Sequence, residues 1–130
     1  MSEEDQIRNA MRSWNEGGFD AFAQHLAPDA VWHAPPEYPD GDVWRGREAI
    51  RESFREQFDA VFSNMGFDIT ELTKGPKLWF VAARATLHAE GSGMEIESRV
   101  FMVLEGEGEL ATEVWIFFDE AQARAQAGLA

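Results

Sequence analysis

The sequence predicts an α+β fold in which a curved antiparallel sheet packs its apolar face against helices. Apolar residues recur at helical spacing in the first half of the 130-residue chain, whereas apolar and polar residues alternate in the second half. Gly91-Ser92-Gly93 and Gly106-Glu107-Gly108 interrupt the alternating part, where hairpin turns are expected. The length of the chain predicts a single domain over residues 1–130.

Three helices are predicted before the sheet and one after it. The first begins behind the capping residue Ser2 and covers about Glu3–Glu16, with its apolar residues on one face. A short second helix is expected at about Asp20–His25 and a third over Arg47–Phe62. Asp119 can cap a short C-terminal helix.

Period-two alternation predicts five strands and assigns their two faces. The predicted strands are Ala30–His33, Phe67–Leu72, Lys77–Ala89, Met94–Leu104 and Glu109–Phe118. One face is almost purely apolar and should meet the helices: Trp79, Val81, Ala83, Ala85, Leu87, Ile96, Ser98, Val100, Met102, Leu104, Val114, Ile116 and Phe118. The other face mixes charges with aromatic rings: Arg84, Thr86, His88, Glu95, Glu97, Arg99, Glu113, Trp115 and Phe117.

The charged residues of that outer face have two interpretations. They either form cross-strand ion pairs where the sheet meets water, or a binding site that includes Arg84, Glu97, Arg99 and Glu113. Large apolar groups beside charges are typical of an interface between subunits. Phe101, Trp115 and Phe117 therefore predict a homodimer that forms through the outer sheet face.

Composition excludes several classes of function. A net charge of −13 argues against nucleic acid or an anionic membrane as a partner. With no cysteine there is no disulfide or thiolate site, and no apolar run suggests a signal sequence, so a cytoplasmic location is expected. Neither a metal nor a cofactor is predicted, because Asp40-Gly41-Asp42 is explained by a turn and the three histidines lack zinc-like spacing.

The segment 29–50 is a proline-rich, aromatic loop of the kind that shapes a pocket. His33 is the best candidate for a general base there, although alternation points it outward and a structural role is open. Glu37 and Tyr38 could serve as base and hydroxyl donor at the pocket mouth, or be a solvated glutamate and a packed tyrosine. These residues are the candidate catalytic group.

Four motifs in this order resemble the SnoaL-like branch of the nuclear transport factor 2-like superfamily. They are WNEGGFD at residues 14–20, APDAVWH at 27–33, RGREAI at 45–50 and the tail 118–129. The resemblance implies a cone-shaped, cystatin-like roll, in which the sheet wraps around the helices and encloses a deep apolar pocket. It also implies homodimers through the outer sheet face.

The resemblance further implies enzymes that place carboxyl groups in this pocket, as ketosteroid isomerases, polyketide cyclases and limonene epoxide hydrolases do. Matching the motifs puts the isomerase base at Ala34, its hydroxyl donor at Ala10 and its second acid near Val100. The last-strand acid of the cyclases and epoxide hydrolases falls at Ile116. None of these side chains can move a proton, so the standard reactions of the family are disfavoured.

The sequence therefore favours a pocket that binds a small hydrophobic molecule. The residues expected to line it are Trp14, Trp32, Ala34, Phe54, Phe58, Trp79, Ser98, Val100, Met102, Val114, Ile116 and Phe118. Two alternatives stay open: a divergent enzyme that uses His33, Glu37 and Tyr38, and a non-catalytic dimeric interaction module.

Overall fold

A computed structural model of the chain describes residues 2–37, 43–56, 62–89, 91 and 93–129, with the side chains of 62–64 excepted. The structure is α+β, with helices on an unclosed, curved six-stranded sheet and a short helix at the C-terminus. The elements are α1 (Glu3–Ala23), β1 (Leu26–His33), β2 (Val43–Arg45), α2 (Arg47–Phe54), β3 (Phe62–Lys74), β4 (Trp79–Ala89), β5 (Glu95–Glu107), β6 (Leu110–Phe117) and α3 (Glu120–Gln126). The predicted fold class is confirmed.

The sheet has the strand order β2-β1-β6-β5-β4-β3. All neighbouring strands are antiparallel except β1 and β6, which run parallel, so the sheet is mixed where a purely antiparallel one was predicted. Parallel pairing needs a long connection between the two strands, and here α2 and the four other strands of the sheet lie between β1 and β6 in the chain. Alternation within each strand carries no information about this pairing.

The first helical segment corresponds to the first two predicted helices. It runs as one element from Glu3 to Ala23 but is broken at Gly18, whose φ of 78° and ψ of −172° are not helical. Only glycine adopts this backbone conformation without strain. Ser2 accepts a hydrogen bond from the backbone N–H of Asp5 and caps the helix as predicted.

Other element boundaries differ from the predictions. The helix predicted over Arg47–Phe62 is α-helical over Arg47–Phe54 and π-helical at residues 55–56. Residues 57–61 lie outside the described part of the chain, and Phe62 already belongs to β3. The strand β2 was not predicted, because three residues are too few to show alternation; it forms by antiparallel pairing of Trp44 with Trp32 of β1. Sequence patterns define the ends of elements less well than their existence.

The strand register confirms the predicted division of the sheet into two faces. Trp79 lies opposite Leu104, Ala85 opposite Ser98, and Leu104 opposite Val114, so the apolar side chains share the face that meets α1 and α2. The main core lies between this inner face and the two helices.

A second apolar cluster lies on the outer face beneath α3. It contains Phe80, Ala82, Phe101, Val103, Ala123 and Ala127. Phe101 is only 2% exposed there, so its prediction as part of an exposed outer interface is wrong. The sequence indicated a last helix but not the face of the sheet on which it packs.

No helix in the described part of the chain is long and apolar enough to cross a membrane. The cytoplasmic location stays a prediction.

Candidate functional site: an apolar cavity between the sheet and the helices

The inner face of the sheet and the two long helices enclose a cavity of about 260 Å³. Its lining comes from α1, α2, the inner face of all six strands and the segments next to β1 and β6. The described lining residues are Met11, Trp14, Trp32, Pro35, Trp44, Phe54, Met65, Phe67, Val81, Ala83, Ala85, Leu87, Ser98, Val100, Met102, Ile116 and Phe118.

Small side chains on one wall keep the cavity open. On β4, Ala83 and Ala85 point inward, and their partners on β5 are Val100 and Ser98. Each of these four residues lines the cavity. Larger residues at these positions would extend into the space between sheet and helices, so the alanines of β4 are the local reason for the cavity.

Aromatic rings pack around Trp14 to form the opposite wall. The Trp14 ring lies 4.8 Å from Phe22, 5.3 Å from Phe54 and 4.5 Å from Phe67, measured between ring centroids. Phe19 stacks on Phe54 at 4.0 Å with an interplanar angle of 8°. Offset and edge-to-face contacts of this kind make a stiff wall.

A side-chain clamp holds α1 against the sheet beside this wall. The Asn15 amide nitrogen donates to the carbonyl oxygen of Phe67 at 2.8 Å, and the Phe67 backbone N–H donates to Asn15 Oδ1 at 2.7 Å. The amide nitrogen and the amide oxygen of Asn15 thus both bond to the backbone of β3, in the pattern that a neighbouring strand would make. Its neighbour Trp14 is therefore held in a fixed position over the cavity.

Two residues of the described wall mark its exposed side. Ser98 is exposed to solvent, and Phe118, although it lines the cavity, is 46% exposed.

No described lining residue carries an ionisable side chain. Val100 and Ile116, which stand where the resemblance places family acids, both face the cavity with apolar side chains. Apart from the weakly polar methionine sulfurs, the polar side-chain groups of the described lining residues are the Ser98 hydroxyl and the indole N–H groups of Trp14, Trp32 and Trp44. These groups can bind and orient a molecule but offer no acid or base near neutral pH.

The candidate catalytic residues do not come together at the cavity. His33 lies on the outer face, where its Nε2 is 2.5 Å from Glu113 Oε2 and its ring stacks on Trp115 at 5.0 Å. Glu37 lies exposed in a turn and is not part of the described lining. Tyr38 falls outside the described residues. From its position His33 would not reach a molecule bound in the cavity.

Most residues predicted to contact a ligand do line the cavity. They are Trp14, Trp32, Phe54, Ser98, Val100, Met102, Ile116 and Phe118. Ala34 does not line it, because the next residue, Pro35, takes that place. Val114 is fully buried between Trp32 and Leu104 of the neighbouring strands. The described residues do not include Phe58, and they do not include Asp40 and Asp42 of the loop.

Trp79 belongs to the opposite end of the sheet. Its Nε1 donates to Glu3 Oε2 at 3.2 Å, and the ring helps to line a second cavity of only about 60 Å³. The prediction that Trp79 lines the main cavity is therefore wrong, although its inward direction was predicted correctly. Alternation gives the face of a strand residue but not its position along the interior.

Several lining residues were not predicted as contacts. They are Met11, Pro35, Trp44, Met65, Phe67, Val81, Ala83, Ala85 and Leu87. The alternation on β4 already pointed Val81, Ala83, Ala85 and Leu87 inward, so small size at an inward position is the signal that could have identified the alanines. For Trp44 no such signal exists, since β2 is defined only by its pairing with β1.

Among the described residues no group of three or more His, Asp or Glu side chains could hold a metal ion.

The family model of the SnoaL-like domain matches residues 7–114 of this chain. No curated protein matches the chain. Solved structures similar to the chain include an NTF2-like protein of unknown function from Burkholderia pseudomallei K96243, with 18% identity, a TM-score of 0.75 and 98% of each chain covered.

Two further similar structures are a putative polyketide cyclase and a protein with a ketosteroid isomerase-like fold. Wild-type IdmH, a putative polyketide cyclase from Streptomyces antibioticus, is 23% identical with a TM-score of 0.73, over 99% of this chain and 100% of IdmH. A hypothetical protein with a ketosteroid isomerase-like fold from Catenulispora acidiphila, in complex with trimethylamine, is 20% identical with a TM-score of 0.72, over 100% and 96% of the two chains. At these identities the similarity shows the fold.

Proposed function

This chain belongs to the SnoaL-like domain family, and on that premise we propose that its cavity binds a small, neutral, predominantly apolar molecule. The observation that carries the proposal is an open cavity of about 260 Å³ whose described wall is apolar and aromatic. A core without a function would be expected to pack its interior with few such voids.

The volume limits the size of the ligand. Ligand sites usually start at roughly 300 Å³, and an apolar cavity of about 150 Å³ suffices for benzene. The cavity of about 260 Å³ therefore suits a molecule of one or two rings, with any larger part extending through the mouth. A charged ligand is disfavoured, because no described lining residue could pair with the charge.

The chemistry of the cavity wall favours binding over catalysis. General acid–base catalysis needs an ionisable group within hydrogen-bond reach of the substrate. The described lining offers none, and His33 and Glu37 lie elsewhere. An enzyme that uses His33, Glu37 and Tyr38 is thus the less favoured alternative.

Filling the cavity tests the proposal. We expect naphthalene, tetralin or 1-tetralone to bind the wild-type protein and to raise its melting temperature. Ala85→Leu places an isobutyl group in the cavity and should weaken binding at least about tenfold while the protein stays folded, since the new side chain has space to occupy. Binding is measured by isothermal titration calorimetry.

A matched control comes from the next residue of β4. Thr86 points to the outer face, so Thr86→Leu adds a similar side chain away from the cavity and should leave binding unchanged. Failure of all three ligands to bind the wild-type protein, or equal affinity in Ala85→Leu, would contradict the proposal.

We also propose that two copies of the chain associate through the outer sheet face. Trp115 and Phe117 lie beside the buried cluster under α3, and each is only partly covered by the chain itself. The apolar surface thus continues from a buried cluster to the exterior. A two-fold axis over this patch would bury Trp115 and Phe117 against the same residues of the second copy.

The oligomeric state tests this second proposal. Light scattering after gel filtration should show a dimer for the wild-type protein at micromolar concentration, and a monomer for Phe117→Glu, whose carboxylate would be buried in the interface. Val43→Glu, at a residue that is also exposed but lies on β2 at the edge of the sheet, should remain dimeric. A monomeric wild-type protein would contradict the proposal.

A further inference from the structure

Two tryptophans of the cavity wall have an unusual combination of burial and hydrogen bonding. Trp14 is 4% exposed and Trp32 is 3% exposed, and both line the cavity. Neither indole N–H has a hydrogen-bond partner among the residues that the structure describes. Buried tryptophan N–H groups usually find a partner, because an unpaired donor loses its hydrogen bond to water.

The position of these N–H groups follows from the accessibility of polar atoms. Within the described part of the chain, no side-chain nitrogen or oxygen atom is both inaccessible and without a partner. The two indole nitrogens must therefore be reachable by a molecule of the size of water. Both side chains are almost fully covered from outside, and the described space that both of them border is the cavity.

The packing of the rings supports this direction. Trp14 is contacted by Phe19, Phe22, Phe54 and Phe67, and Trp32 by Phe19 and Phe22. Phenyl rings offer no acceptor comparable to an oxygen atom, so the aromatic contacts fix the indoles without satisfying their N–H groups.

We infer that the indole N–H groups of Trp14 and Trp32 recognise a hydrogen-bond acceptor on the ligand. This inference rests on the proposed function and narrows it to a class of ligand: a neutral one- or two-ring molecule that carries a carbonyl or ether oxygen. An indole N–H only donates, so a ligand that offers only donors gains nothing from it.

A neutral acceptor also suits the rest of the wall. The described lining holds no cation that could pair with a carboxylate and no carboxylate that could pair with an amine. A charged group would therefore be desolvated in the cavity without a partner, whereas a carbonyl oxygen needs one or two donors.

A pair of ligands that differ in one oxygen tests the inference. 1-Tetralone and tetralin share the same bicyclic frame, and only the ketone can accept a hydrogen bond. We expect Trp14→Phe or Trp32→Phe to weaken 1-tetralone relative to tetralin by about 2- to 10-fold per lost bond. The ratio of the two dissociation constants removes the effect of the lost ring volume, which both ligands share.

Trp79→Phe is the matched control, since it also removes an indole N–H, but from a tryptophan at the opposite end of the sheet that does not line the main cavity. The ratio should stay at its wild-type value in this variant. An unchanged ratio in both single variants and in the double variant would overturn the inference.

Proton NMR of the wild-type protein gives a second measurement that needs no stable variant. A hydrogen bond should move at least one indole N–H resonance downfield with 1-tetralone but not with tetralin. If both ligands bind and leave the indole resonances in the same place, the inference is wrong while the proposed function stands. If neither of these ligands nor naphthalene binds, the proposed function itself fails.

Discussion

Single residues decide both the shape and the chemistry of the cavity. Ala83 and Ala85 leave the space open, and the apolar side chains of Val100 and Ile116 remove the acids that the resemblance would place there. The same residues leave the cavity without a described group for proton transfer. In the function that we propose, recognition depends on the N–H groups of Trp14 and Trp32.

Substitution of Asn15 tests how strongly the side-chain clamp holds α1, and with it the aromatic wall, against the sheet. Asn15→Ala removes two hydrogen bonds to Phe67, each worth about 0.5–1.5 kcal/mol, so we expect a loss of about 1–3 kcal/mol in the free energy of unfolding. Urea denaturation gives this value. Glu16→Ala, at an exposed position on the same helix, should change stability by less than about 0.5 kcal/mol. Equal effects of the two substitutions would show that the clamp is not important.

At the scale of elements, the break at Gly18 lets both parts of the helical segment α1 contribute rings to the aromatic wall. The part before the break carries Met11 and Trp14, and the part after it carries Phe19 and Phe22, which pack against Trp14. A straight helix would carry the second pair of rings away from the first. The break therefore assembles the aromatic wall.

Gly18→Ala tests this role of the backbone. A Cβ at Gly18 would meet no atom within 4 Å, so any cost comes from the backbone angles alone. Because non-glycine residues are strained in this region, we expect a loss of about 1–3 kcal/mol in the free energy of unfolding. Gly66→Ala, where φ is not positive and the nearest atom lies 3.9 Å from the added Cβ, should have little effect. Thermal or urea unfolding distinguishes the two.

The helix α3 covers part of the outer face of the sheet. Ala123 and Ala127 are buried against Phe80 and Phe101, and Arg124 is bonded to Glu71 at 2.7 Å and to Glu120 at 2.9 Å. These hydrogen bonds raise the pKa of Arg124, with that from Glu120 the larger cause, so its charge is retained at any relevant pH. The helix is thereby fixed over β4 and β5, and the rest of the outer face remains for a partner.

At the scale of the whole molecule, stability in acid depends on carboxylates whose pKa is lowered by specific partners in the folded state. Glu3 is one of them. A hydrogen bond from Lys74, a second from Trp79 and the charge of Lys74 lower the pKa of Glu3 below its usual 4.5. These contacts tie the start of α1 to β3 and β4.

The lowered pKa gives a stability that depends on pH. A carboxyl group whose pKa is lower in the folded state stabilises that state above its unfolded pKa and loses this effect as pH falls through the folded value. Glu3→Gln should therefore lower the melting temperature slightly at pH 7, and the difference should shrink as the pH falls below 4.5. Glu52→Gln, exposed on α2, serves as the control. A difference that stays constant from pH 7 to pH 3 would contradict this assignment.

The sequence by itself determined the fold class, the two faces of the sheet and eight of the seventeen described residues around the cavity. Periodicity is a local property, so the direction of Ala83, Ser98 or Ile116 could be predicted from neighbours in the chain. The aligned motifs also located the positions where family acids are missing.

Tertiary structure alone decided which inward residues surround empty space. Trp79 and Val114 point inward as predicted, yet one lies at the far end of the sheet and the other is fully packed. Trp44 joins the wall only because β2 pairs with β1, and Phe101 is covered because α3 packs on the outer face. These outcomes depend on how distant elements pack, and that packing is not encoded in any local spacing of residues.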